Sequence, residues 1–156
     1  MKLKNKRIYV DTSVVNGAFA QRFAQDTLPF WNAVRHGEII IIASDLLADE
    51  LENAPVHIRE FFDKIPISQI ERIVLTVETE NLAAQYIAGK VVGQSSLDDC
   101  RHIALATIAR ADVLVSWNFK HIVNTSRIRG YNSINMKLGY PQIDIRTPYE
   151  VINDET

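Results

Sequence analysis

Cysteine is nearly absent from this sequence: Cys100 is the sole one in 156 residues. That excludes an internal disulfide and a cysteine-based zinc knuckle. Long hydrophobic runs are missing too, and none approaches the roughly 20 residues that span a bilayer. The first seven residues are basic, but only a few apolar residues follow before Asp11. That stretch is too short for a signal-peptide core, so the expectation is a cytoplasmic protein with no membrane partner. Neither sign of charge dominates: 17 Lys and Arg stand against 19 Asp and Glu, for a net charge of −2. A global basic footprint for nucleic acid is therefore lacking, and any such binding would need a local patch or a metal. There is no glycine-rich phosphate loop, since Gly17 and Gly93 are isolated. No serine sits in a nucleophile-elbow context. His102 and His121 lie at zinc spacing with nothing.

What is present is an ordinary globular composition, 47% apolar and 23% charged. The length suits one domain over residues 1–156 with a real core. Strand-like and helix-like segments alternate. Arg7 to Val10 reads as a short buried strand running into Asp11-Thr12-Ser13. The region from Phe19 to His36 reads as two helical pieces, with Pro29 near a helix start and Gly37 past its end. Glu38 to Ala43 is a continuous apolar run, the pattern of a strand covered on both faces. Helices are expected from Ser44 to Asn53, Pro55 to Lys64, Val77 to Lys90 and from Ser95 or Ser96 to Arg110. Further strands are expected at Ile70 to Thr76, Asp112 to Ser116 and Ile143 to Ile145, with a polar, basic segment before the last. This order predicts an α/β sandwich around a mostly parallel sheet.

Three carboxylates fall where the pattern asks for something else. Asp11 follows an apolar strand, and ligands of parallel sheets bind beyond the carboxyl ends of strands; a helix cap is the plain alternative. Glu50 occupies the i+7 slot of an apolar helical stripe, where a charge needs a partner; the alternative is a stripe-edge residue that reaches outward. Asp45, Asp49 and Glu52 fall on the outer face. At about 100° per residue, Asp99 lies at the edge of the buried face of its helix, whereas Asp98 points away. Either could cap that helix with Ser95 or Ser96. Asn118 follows a buried strand ending at Ser116, at the same sheet edge as Asp11. Lys120, His121, Arg127, Arg129 and Lys137 then cluster in sequence, with Tyr131 and Tyr140 between them. Such a segment suits phosphate contacts, or is an ordinary solvated loop.

These segments together resemble PIN-domain ribonucleases, in particular VapC-like toxins of type II toxin–antitoxin systems. The matching pieces are the strand into Asp11-Thr12-Ser13, the segment from Ser44 to Glu50-Leu51, the run Asp99-Cys100-Arg101-His102-Ile103-Ala104, and Leu114-Val115-Ser116-Trp117-Asn118. They occur in the family's order across roughly residues 7 to 120. The resemblance implies a PIN-like three-layer α/β/α sandwich and a Mg²⁺- or Mn²⁺-dependent endonucleolytic ribonuclease. It places Asp11, Glu50 and Asp99 at the family's acidic metal positions. Asn118 stands where a fourth acid is common, and Ser116 where a hydroxyl is common, with Thr12 and Asp98 in support. Lys120, His121 and Arg127 are the expected substrate contacts. RNA is the implied substrate, and an antitoxin and a second copy of the chain are implied partners. A non-catalytic PIN-like domain binding RNA or a partner is the alternative that Asn118 keeps open. A receiver-like phosphoacceptor domain shares the first acid, but Asp98-Asp99 read as helical and Lys120 is poorly placed for it.

Overall fold

The computed structural model describes residues 6–153; most of the basic lead-in, residues 1–5, lies outside the described residues. Five strands form one sheet, in the order β3-β2-β1-β4-β5, and every neighbouring pair is parallel. They are β1 (Lys6–Val10), β2 (Ile39–Ser44), β3 (Ile70–Ile73), β4 (Val113–Val115) and β5 (Ile145–Arg146). Parallel strands need crossovers, and these are supplied by eight helices among the described residues. They are α1 (Thr12–Gly17), α2 (Ala24–Arg35), α3 (Asp45–Glu52), α4 (Val56–Asp63), α5 (Val77–Ala88), α6 (Leu97–Ile108), α7 (Thr125–Lys137) and α8 (Pro148–Asn153). The mostly parallel α/β architecture read from the sequence is borne out.

The strands are apolar on both faces because both faces are covered. Side chains alternate across a strand. Ile8, Val10, Ile39, Ile41, Ala43, Val113 and Val115 enter one core with residues of α1, α2, α4 and α8. Tyr9, Ile42 and Leu114 enter the other, with residues of α5, α6 and α7. This explains why the β2 run shows no polar alternation. It also explains how Tyr9, in the middle of a strand, comes to face α6.

Several local expectations need correction. Pro29 lies inside α2, not near a helix start. The helix continues through it, although proline donates no backbone hydrogen bond. Gly37 does follow the end of α2, at φ 80°, which favours glycine. A short helix, α1, begins directly at Thr12, with Asp11 at the N-cap position that the alternative reading gave it. The polar segment after β4 forms α7, capped by the Asn124 side chain accepting from the Arg127 amide at 3.2 Å. Its apolar periodicity is weak, but the N-cap chemistry is a sequence signal. β3 stops at Ile73 and α5 at Ala88. The last strand is Ile145–Arg146, later than the expected start at Ile143. Asp45 is not on a solvated outer face: it is half-buried and accepts from the Leu75 amide at 2.9 Å.

Close packing holds the start of the site in place. A Cβ at Gly17, the last residue of α1, would stand 2.9 Å from Thr27 Oγ1 and 2.9 Å from the Trp117 ring. Trp117 Nε1 donates to Thr27 Oγ1 at 2.8 Å, so neither neighbour is free to yield. We expect Gly17→Ala to lower stability by about 1–3 kcal/mol through overpacking. Urea unfolding checks this, and an unchanged midpoint would contradict it.

Candidate functional site

The strand order reverses between β1 and β4, so the chain leaves those two strands in opposite directions. A crevice opens at such a switch point, beyond the carboxyl ends of the strands. Asp11 leaves β1 there, and Ser116 and Asn118 leave β4 on the other side. Ser116 Oγ donates to Asp11 Oδ2 at 2.6 Å across the junction. Ser13 Oγ donates to Asp11 Oδ1 at 2.6 Å and accepts from the Trp117 amide at 2.9 Å. Asp11 occupies the N-cap position of α1, but its side chain makes no capping bond. Its carboxylate is directed into the crevice's own hydrogen bonds instead.

Glu50 arrives from α3, whose N-terminus is capped by Ser44 Oγ accepting from the Leu47 amide at 3.1 Å. The Glu50 side chain is 31% exposed and turns inward. Thr12 Oγ1, at the start of α1, donates to Glu50 Oε1. His102 Nε2, on α6, stands 2.9 Å from the same oxygen. On its other side, His102 Nδ1 lies 2.6 Å from Tyr9 Oη, which is 2.9 Å from Ser44 Oγ.

Asp99 comes from the first turn of α6, half-buried, and accepts from Asn118 Nδ2 at 3.3 Å. Asp98 is exposed and pairs with Arg101 Nη1 at 2.7 Å. Neither acid caps the helix, because Ser96 makes no side-chain capping bond. Asn118 also shapes the following turn, with its Oδ1 accepting from the His121 amide at 3.0 Å.

Burial and mutual repulsion set the electrostatics. Burial pushes Asp11 above the ordinary carboxylate range, and Glu50 adds to this, against the opposing effects of His102 and the two serine hydroxyls. Asp99 is raised too, by burial first and then by Asp11 and Glu50, with His121 and His102 opposing. Burial also raises Glu50, but the bonds from His102 and Thr12 outweigh it and hold Glu50 below its usual value. Three acids that feel one another in this way are typical of a functional site.

The donor set suits a hard cation, since it consists of carboxylates with an amide and hydroxyls around them. Carboxylate oxygens remain for it: Glu50 Oε2 and Asp99 Oδ2 accept no hydrogen bond among the described residues. Among those residues, however, no three His, Cys, Asp or Glu side chains form a group able to hold a metal ion. The residues fit a cation such as Mg²⁺ that keeps several of its waters and takes one or two carboxylates, rather than a closed protein cage.

The expected substrate contacts disperse. Lys120 is exposed, and His121 is half-buried with its Nδ1 lacking a partner among the described residues. The Arg127 guanidinium donates to the Val91 carbonyl. Tyr131 is fully buried and donates to the His121 carbonyl at 2.6 Å, while Tyr140 donates to Glu78 at 2.7 Å. Helix α7 spreads Arg127, Arg129 and Lys137 around its axis, so adjacency in sequence does not make a patch.

Ser13, Tyr9 and His102 are site residues that the sequence reading left out. Tyr9 was hidden inside an apolar strand. His102 carried a signal: it lies one helical turn after Asp99, and a histidine on a buried helix needs a partner.

No family model matches the chain, and no curated protein matches it. Among solved structures it is similar to a chain in the crystal structure of VapBC2 from Rickettsia felis bound to a DNA fragment from their promoter. The TM-score is 0.56 at 13% identity, and the match covers 90% of this chain and 98% of that one. At that identity the likeness is one of fold. The PIN-like α/β fold implied by the sequence resemblance is thereby borne out. No helix among the described residues is long and apolar enough to cross a membrane.

The clustered acids generate a stability prediction. The raised Asp99 is costly in its ionised form, fully so above its folded pKa. The cost fades as pH falls through that value toward the ordinary 3.8. We expect Asp99→Asn, without added metal, to be more stable than the parent at neutral pH by about 1 kcal/mol. The advantage shrinks on acidification. Thermal melts at pH 7 and pH 4 check it; a less stable variant at pH 7 would refute it.

Proposed function

We propose that this protein is a divalent-metal-dependent ribonuclease that cleaves RNA endonucleolytically, and that it acts as the toxin of a toxin–antitoxin pair. The observation that carries the reading is the convergence of Asp11, Glu50 and Asp99, from three separate elements, at the switch-point crevice of a PIN-like fold. Asp11 and Asp99 are the first choice to hold Mg²⁺ or Mn²⁺, with Glu50 as the third acid of the site. When bound, the metal supplies Lewis-acid polarisation of the scissile phosphate and a more acidic water.

The chain's own residues do the rest. Ser13 and Ser116 fix both oxygens of Asp11, and Asn118 orients Asp99 from the facing strand end. Glu50, kept ionised by Thr12 and His102, has Oε2 available to orient the attacking water or accept its proton. Lys120 and His121, close to Asn118 in the chain, are the candidates for phosphate contacts; Arg127 is engaged at the Val91 carbonyl. The VapBC2 structure holds a pair of proteins and promoter DNA, which supports an antitoxin as the partner here. A homodimer and cytoplasmic location belong to the same reading.

A second reading has its own observation. The Asn118 amide donates to Asp99 where a further acid would repel it and attract a cation. A PIN-like domain that binds RNA or a partner protein without cleaving it accounts for that pairing. Purified protein incubated with RNA and Mn²⁺ separates the two. The ribonuclease reading expects cleavage that chelator abolishes and that Asp11→Asn, Asp99→Asn and Glu50→Gln each reduce by at least about 100-fold. Cleavage equal in variants and parent would mark a contaminant and sink the assignment. RNA binding that persists in chelator with no cleavage would establish the second reading.

A further inference from the structure

Helix α3 is gripped at both ends by one chain of side-chain hydrogen bonds. It runs from Ser44, through Tyr9 on β1 and His102 on α6, back to Glu50. The links measure 2.9, 2.6 and 2.9 Å. Tyr9 is fully buried, Ser44 is 1% exposed and His102 is 3% exposed, so water cannot substitute for any of these partners.

With a neutral imidazole at His102, the direction of every bond follows from the Glu50 end. An ionised Glu50 only accepts, so His102 Nε2 must carry a proton and donate to it. At the other end, Ser44 Oγ accepts from the Leu47 amide and has Tyr9 Oη as the acceptor for its own proton. Tyr9 in turn donates its proton to His102 Nδ1, the ring nitrogen left bare. Each donor thus meets one acceptor only if all bonds run the same way, from Leu47 N–H to Glu50 Oε1.

We infer that His102 is a positioning residue: held in its Nε2–H tautomer by the Ser44–Tyr9 relay, it fixes Glu50 Oε1 and leaves Oε2 turned to the site at a set distance from Asp99. The inference rests on the metal-dependent reading above, and three features favour it. His102 and Asp99 lie one turn apart on α6, so the imidazole ties the Glu50 carboxylate of α3 to the same helix that carries Asp99. Thr12 holds the same oxygen, Oε1, from α1, so both donors leave Oε2 alone. The relay begins at the N-cap of the helix that carries Glu50, so α3 cannot rotate without breaking it. A residue in this role acts through Glu50 and need not touch substrate. Outer partners of this kind change metal affinity by about 10- to 100-fold when removed.

The substitutions divide the two ring nitrogens between them. In His102→Gln the amide nitrogen can reach Glu50 as Nε2 does. In His102→Asn the amide oxygen can accept from Tyr9, as Nδ1 does, but nothing at position 102 donates to Glu50. Calorimetric titration of the purified protein with Mn²⁺ alone is expected to show about a 10-fold loss of affinity in His102→Asn. His102→Gln is expected to recover most of it, while both variants lose similar thermal stability. A merely structural histidine would lower stability in both and move affinity equally in both or in neither, and that outcome overturns the proposal.

A second measurement needs neither metal nor a folded His102 variant. Nitrogen chemical shifts of the metal-free protein should show His102 protonated at Nε2 and bare at Nδ1, with the preference lost in Tyr9→Phe. An Nδ1–H tautomer in the parent refutes the relay. If the parent fails to bind Mn²⁺, the metal-dependent reading falls on its own, while the tautomer still decides whether His102 is set to hold Glu50.

Discussion

The reversal of strand order between β1 and β4 is the constraint on which the rest of this structure depends. Five parallel strands need helical crossovers on both faces, and the crossovers part where the winding changes direction. At that junction two strands end side by side with no helix closing the gap. The polar ends of β1 and β4 therefore meet each other, and the short bond from Ser116 to Asp11 bridges them. Everything else in the crevice is arranged around this pair. Helix α1 begins at once to bring Thr12 and Ser13 inward, and α3 and α6 deliver Glu50 and Asp99 from either side.

The acids share a small space and are treated differently by it. Asp11 is enclosed, so desolvation dominates and two hydroxyls only partly offset it. Glu50 is more open, and it is held below its usual value because an imidazole and a hydroxyl both address its Oε1. Asp99 has the amide of Asn118 as a neutral donor and feels both other carboxylates. Asp11 and Asp99 are therefore a standing cost to the fold. A cation would relieve the two acids that burial raises, Asp11 and Asp99, which is the physical link between the cost of the site and its proposed chemistry.

Much of this architecture was legible in the sequence because its signals are local. A β2 run without polar alternation means a strand covered on both faces. Glu50 in an apolar slot means a charge turned inward, and helical phase separates Asp99 from Asp98. The misses are equally instructive. Helix α7 was hidden because its apolar stripe is weak and its polar residues suggest a loop; only Asn124 at its cap marked it. Arg127, Tyr131 and Tyr140 looked like a surface for phosphates, but both tyrosine hydroxyls and one arm of the Arg127 guanidinium are bonded to a carbonyl or carboxylate of the protein itself. No local pattern reveals a partner that lies tens of residues away.

The sequence by itself determined the alternation of strands and helices, the inward phase of Glu50 and Asp99, and the position of Asp11 just past a buried strand. These depend on periodicities of two and 3.6 residues, which are written along the chain. Only the tertiary structure decided which oxygens are held and by what. Ser13, rather than a capping bond, holds Asp11. Tyr9 and His102, one from a strand and the other from a helix 93 residues further on, align over Glu50. The reason is geometric: a hydrogen bond is specific to a few tenths of an ångström and to direction. Those coordinates exist only after β1, α3 and α6 have packed against one another.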